Sequence, residues 1–120
     1  MVSDEKFDFE SLLVYQRSLD YVDFIYNIVN KFPKAEAFSL SDQFKRASVS
    51  ISLNIAEGSG GSKPDFKRFL IIARRSVREC LAITEISFRQ HFIDNEVKRQ
   101  SRDFCLELSK MISGLIKSLK

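Results

Sequence analysis

Between Lys63 and Arg78 the chain carries six basic residues, Lys63, Lys67, Arg68, Arg74, Arg75 and Arg78, against one acid, Asp65. On a helix Lys67, Arg74 and Arg78 share one side, while Arg68 and Arg75 form a second row. The chemistry open to such rows is phosphate binding, in which guanidinium and ammonium groups displace counterions and lose affinity as salt rises. A merely solvated face is the other reading of the same rows. Arg89, Lys98, Arg99 and Arg102 extend the basic character, whereas the first ten residues hold Asp4, Glu5, Asp8 and Glu10 against Lys6. The charge is therefore polarised, although the net value is only +3. No RNP-type aromatic motif, KH loop or zinc knuckle accompanies the strip. On the phosphate-binding reading, RNA or DNA would be held through shape and phosphate, without base readout.

A second set of polar groups runs through Gln43 to Gly61, QFKRASVSISLNIAEGSGG, where Gln43, Arg46, Ser50, Asn54 and Glu57 recur at steps of three or four among apolar residues. Polar groups in such a setting cost free energy unless each finds a partner. With Ser76 and Glu79 they read as a structural polar network. Counting equal rises along antiparallel helices joined near Gly60 sets Arg46 opposite Ser76 and Gln43 opposite Glu79. That register predicts a partly buried Arg46–Glu79 ion pair that fixes packing. A catalytic use is disfavoured, because nothing in the row is a poised nucleophile or base. Glu57 can brace the turn beside Gly58, and Asn54 can bond across a subunit interface.

Other chemistry is thin. His91 is the only histidine, too few for a His-based triad or metal site, and it reads as a helix-terminal or surface residue. Cys80 and Cys105 sit in helical patterns without metal-ligand spacing and read as buried free thiols. The segment GSGGSK lacks the spacing of a phosphate loop and follows no strand. The expectation is no enzyme, no cofactor and no metal.

The elements that must position these residues are helical. Four Gly and two Pro in 120 residues, with 44% hydrophobic residues and eleven Phe, imply one domain of a few long elements around one core. Val49, Ile51, Leu53 and Ile55 alternate as a strand would, but a lone strand would have no sheet to join. Start and stop signals place helices over about 9–31, 40–58, 63–91 and 95–119 of a single 1–120 domain. The first stripe is Leu12, Tyr15, Leu19, Val22, Ile25 or Tyr26, and Val29, and Pro33 ends that helix. Ser39 or Ser41 caps the second, Ser62 with Asp65 and Pro64 opens the third, and Asp94 or Asn95 caps the fourth. The third stripe is Phe66, Phe69 or Leu70, Ala73, Val77, Cys80 or Leu81, Thr84 and Phe88. The fourth includes Val97, Phe104, Leu108, Met111 or Ile112, Leu115 and Leu119. Short connections imply an all-α, up-and-down antiparallel four-helix bundle.

Helix two carries two apolar stripes, Phe44, Ala47, Ile51 and Ile55 on one and Val49, Leu53 and Ala56 on another. A monomeric bundle covers only one of them, so self-association is expected. Tyr15, Phe24, Phe38 and Phe92 either line an interface or complete the core.

Three blocks carry a family resemblance: Phe32, Pro33, Glu36, Phe38 and Leu40; the pattern QxxRAxxSIxxNIAEG from Gln43 to Gly58; and Phe66, Phe69, Leu70, Ala73, Ser76 and Glu79. On these residues the chain resembles the ribosomal RNA intervening-sequence proteins, named for members encoded within insertions of the large-subunit ribosomal RNA gene. It is also similar to the accessory proteins of diversity-generating retroelements, bundles that bind nucleic acid and a reverse transcriptase. The resemblance implies an up-and-down bundle assembling into a homo-oligomeric ring, with a pentamer foremost, and no catalysis. Arg75 departs from the family, which often has Gly there, so Arg75 must point outward if helices approach closely.

The functional expectation is a non-enzymatic homo-oligomeric scaffold that binds RNA or other nucleic acid through its basic face. The alternative is an adaptor whose ring binds another protein. MVSDEKFDFE lacks the regions of a signal peptide and no stretch is long and apolar enough to span a membrane. A soluble, cytoplasmic protein without membrane partners is expected.

Overall fold

The structure, a computed structural model, describes residues 7–119. Asp4, Glu5 and Lys6 of the acidic start lie outside the described residues. Four helices, α1 (Leu13–Val29), α2 (Leu40–Ser59), α3 (Lys63–Arg89) and α4 (Asn95–Ser118), follow one another, with 3-10 turns at Asp8–Ser11 and Lys34–Glu36. No strand occurs among the described residues, and the alternating Val49 to Ile55 segment lies inside α2. α1 packs on α2 and α4, and α3 packs on the same two helices, whereas the diagonal backbones stand apart. The bundle is thus four-cornered. Its α1–α2 face stands back to back with its α3–α4 face.

Local chemistry sets the helix ends. The Ser62 hydroxyl accepts from the Asp65 N–H at 3.3 Å with Pro64 in the first turn of α3, and Asp94 Oδ1 accepts from the Val97 N–H at 2.8 Å at the start of α4. Ser39 occupies the N-cap position of α2 but makes no cap bond; its hydroxyl turns back to donate to Glu36 Oε1 at 3.0 Å. α1 begins at Leu13, later than the apolar periodicity suggests. The Glu10 carboxylate accepts from the Phe7 N–H at 2.7 Å and the Gln16 amide donates to the Glu10 carbonyl at 3.0 Å, so the preceding residues close into a separate 3-10 turn.

At the end of α3, His91 adopts φ 64°. Its N–H donates to the Phe88 carbonyl at 3.0 Å and the Phe92 N–H to the Ser87 carbonyl at 2.9 Å, a Schellman closure with histidine where glycine is usual. The connection is short enough to bring α4 back antiparallel.

The α2 stripe of Phe44, Ala47, Ile51 and Ile55 is buried, as are Leu70, Ala73, Val77, Cys80 and Thr84 of α3. α1 corrects its expected stripe. Val14, Ser18, Tyr21, Ile25 and Ile28 face the core, while Leu19 and Tyr26 are 39% and 45% exposed. A serine inside the true stripe hides it from a hydrophobicity pattern. α4 shows the same effect, with Ser101 and Cys105 buried beside Leu108 and Ile112.

These buried hydroxyls satisfy one another. Tyr21 Oη and Ser101 Oγ lie 2.9 Å apart, Ser101 Oγ and Thr84 Oγ1 2.8 Å, and Thr84 donates to the Cys80 carbonyl at 2.7 Å. Ser18 and Ser52 pair at 2.8 Å between α1 and α2. The chain links three helices at fixed height, so it specifies register as well as stability.

α2 and α3 approach closely because small residues meet there. The Ser50 and Ser76 hydroxyls are 2.9 Å apart, and Gly58 lies against Phe66 and Phe69. Arg75 is exposed, as this close packing requires.

Candidate nucleic-acid interface

The expected Arg46–Glu79 pair does not form. Arg46 is 81% exposed and its guanidinium pairs with Asp42 at 3.4 Å one turn earlier, while Glu79 is exposed without an ion-pair partner among the described residues. The register explains the miss. Ser50, not Arg46, faces Ser76, a displacement of one helical turn from the count along equal rises. The displacement lies in the backbone, since Gly58 meets Phe69 at the level of their Cβ positions with a similar offset.

Of the polar network, Ser50, Asn54 and Ser76 are brought together. Asn54 Nδ2 donates to the Ser50 carbonyl at 2.8 Å and to its hydroxyl at 3.0 Å, and Ser76 Oγ reaches the Ile72 carbonyl at 3.2 Å. Asn54 thereby bonds within its own helix. Gln43, Arg46 and Glu57 are exposed on α2 and Glu79 on α3, outside that cluster. The Glu57 carbonyl, not its carboxylate, holds the turn by accepting from the Gly60 N–H at 3.3 Å.

Ion pairing sorts the basic residues into two groups. Arg68 is held by Asp65 at 3.4 Å, Arg89 and Lys98 by Glu85 at 3.2 and 2.9 Å, and Arg99 by Glu96 and Asp103. The Lys98 ammonium, with Arg89, holds the Glu85 carboxyl below the ordinary carboxylate range. Lys63, Lys67, Arg74, Arg75 and Arg78 of α3 have no carboxylate within ion-pair distance among the described residues, and neither do Arg102, Lys110 and Lys117 of α4.

The register between α3 and α4 is pinned by Arg74 Nη1 donating to Ser113 Oγ at 3.1 Å and by the Lys98–Glu85 bridge. That register sets Arg78 level with Lys110 and Lys67 level with Lys117. Arg75 and Arg68 turn outward from α3 as a second row. Lys110 and Lys117 escaped the sequence argument because they lie far along the chain. Their seven-residue spacing, combined with the antiparallel pairing of α3 and α4, is the signal that finds them. The result is a face of uncompensated cations carried on two rigid helices.

Cys80 and Cys105 are buried free thiols. Burial pushes both thiols up, Cys105 to about 11. Among the described residues no group of His, Cys, Asp and Glu is arranged to hold a metal, and no helix is long and apolar enough to cross a membrane.

The 23S rRNA-intervening sequence protein model matches residues 10–114. A crystal structure from Bacteroides thetaiotaomicron, described as a protein with unknown function from the S23 ribosomal protein family, superposes with a TM-score of 0.81 at 27% identity. The match covers 88% of this chain and 96% of that one. No curated protein matches the chain. With a family model spanning nearly the whole bundle and a shared fold, the chain belongs to the 23S rRNA-intervening sequence protein family.

Proposed function

We propose that the protein is a non-enzymatic, self-associating helical scaffold that holds RNA on its α3–α4 face. The observation that carries this reading is the opposition of two faces. Eight of the cations without carboxylate partners lie on α3 and α4, against Lys31, Lys34 and Lys45 elsewhere among the described residues, whereas the second apolar stripe of α2 lies on the opposite side, with Leu53 61% exposed and Val49 and Ala56 half-buried. Leu19, Val22 and Tyr26 of α1 continue that apolar surface, since Ser18 pairs with Ser52 and the Lys45 ammonium stands 5.4 Å from the Tyr26 ring centroid. A contiguous apolar surface of this kind is buried by association. Association through α1–α2 leaves α3–α4 on the outside of the assembly, repeated once per copy, so weak phosphate contacts add as multivalent contacts do. The family's description links its members to an insertion in 23S rRNA, which favours RNA as the polyanion.

Size-exclusion chromatography with light scattering and dual-wavelength absorbance tests both halves. The expected result is an oligomer that carries nucleic acid at low salt and sheds it at high salt, and that Leu53→Asp converts to monomer. An assembly free of nucleic acid at low salt overturns the RNA reading. A wild-type monomer overturns the scaffold.

A further inference from the structure

Of the four aromatic residues whose role the sequence left open, Tyr15, Phe24 and Phe92 pack against the core, whereas Phe38 is 99% exposed. It stands on the connection between α1 and α2, just after the Lys34–Glu36 turn, at one end of the bundle. Lys31 and Lys34 precede it, exposed and without ion-pair partners among the described residues, and with the Glu36 carboxylate between them and Phe38 the connection keeps one net positive charge. An aromatic ring held wholly in water on an ordered, basic loop has the composition of an interface anchor.

The same chain carries a groove of matching character. α1 and α4 part to leave an open cleft of about 540 Å³, lined by Arg17, Phe24, Gln100, Asp103, Phe104 and Glu107. Its floor is aromatic, the Phe24 and Phe104 rings lying 5.3 Å apart with the Arg17 guanidinium 4.3 Å from the Phe104 centroid. Two carboxylates, Asp103 and Glu107, line it against one guanidinium, Arg17, which Glu107 shares with Asp20, so its rim is acidic by one charge. The smaller clefts beside Lys45 and beside Arg102 are bordered by cations and would repel a basic loop.

We propose that Phe38 of one copy seats in the α1–α4 groove of a second copy, with Lys31 and Lys34 set against its carboxylate rim. This rests on the self-association argued above and gives it a direction. The contact joins the end of one bundle to the side of the next, a heterologous contact that propagates and closes into a ring when the rotation permits. The groove borders the apolar α1–α2 face across α1, so one neighbour can cover both surfaces while α3–α4 stays open.

Site-directed cross-linking tests it. Phe38→Cys and Gln100→Cys are made in separate chains, both positions being exposed and the native thiols buried. After mixing the two variants under mild oxidation, a disulfide-linked pair of chains is expected only when both are present. In parallel, Phe38→Ala should raise the concentration at which the assembly dissociates by about 30-fold, the effect of losing an anchor residue, with unchanged helical content by circular dichroism. An assembled protein that forms no 38–100 cross-link overturns this contact while leaving self-association intact. Cross-linking of Phe38→Cys to itself identifies a two-fold contact and overturns it equally, and a monomeric wild type overturns both readings.

Discussion

Gly58 of α2 meets Phe69 of α3 so closely that a Cβ at position 58 would fall 2.5 Å from the Phe69 Cβ. The clash is with a side-chain root that cannot swing away, so either the helices separate or the rotamer strains. Gly114, by contrast, has nothing within 4 Å of the equivalent position.

The pair gives opposite predictions for one chemical change. Gly114→Ala should stabilise by about 1 kcal/mol through helix propensity alone. Gly58→Ala should destabilise by about 1–3 kcal/mol, overpacking outweighing the same propensity gain. Urea denaturation of the two variants checks the signs.

His91 holds a left-handed conformation, φ 64°, to complete the Schellman closure of α3. A Cβ there costs roughly 1 kcal/mol that glycine avoids. His91→Gly should therefore raise stability by about that amount, read as a higher urea midpoint with an unchanged slope.

The helices, their order and the core positions Leu70, Ala73, Val77, Cys80 and Thr84 on α3 could be read from apolar spacing and turn residues, because those signals are local. What escaped was set by partners far along the chain. Ser18 and Ser101 are core residues because Ser52, Tyr21 and Thr84 bond to them, and no hydrophobicity pattern marks a serine so satisfied. Arg46 lies away from Glu79 because the α2–α3 backbone register is displaced about one turn from a count centred on the Gly60 turn. The basic rows of α3 were legible, and the pair that neutralises Arg68 is local, with Asp65; that Lys110 and Lys117 join the rows depended on the α3–α4 register.

Cys80 and Cys105 should be silent to a thiol reagent at pH 8 in the native protein, since burial pushes both thiols up, Cys105 to about 11. In denaturant both should react. Fast native labelling of either would contradict their placement.

Glu85 bridges Lys98 and Arg89, which lower its pKa from an ordinary value of 4.5. A depressed carboxylate stabilises the fold above its unfolded pKa and loses that contribution as pH falls through the folded one. Glu85→Gln should therefore be less stable than wild type near neutrality, and the difference should vanish as pH is lowered below 4.5 through the depressed pKa. Thermal melts across that range measure it.

The central claim is that the α3–α4 face meets phosphates while the assembly stays intact. The most direct measurement is the affinity for a labelled single-stranded RNA across a salt series, for wild type and for Arg78→Glu with Lys110→Glu, with light scattering on both. Wild-type affinity should fall steeply with salt, the double variant should bind more weakly with a log–log slope shallower by about 1.4, and both should have the same mass. Equal affinity and slope in an equally assembled variant would contradict the account.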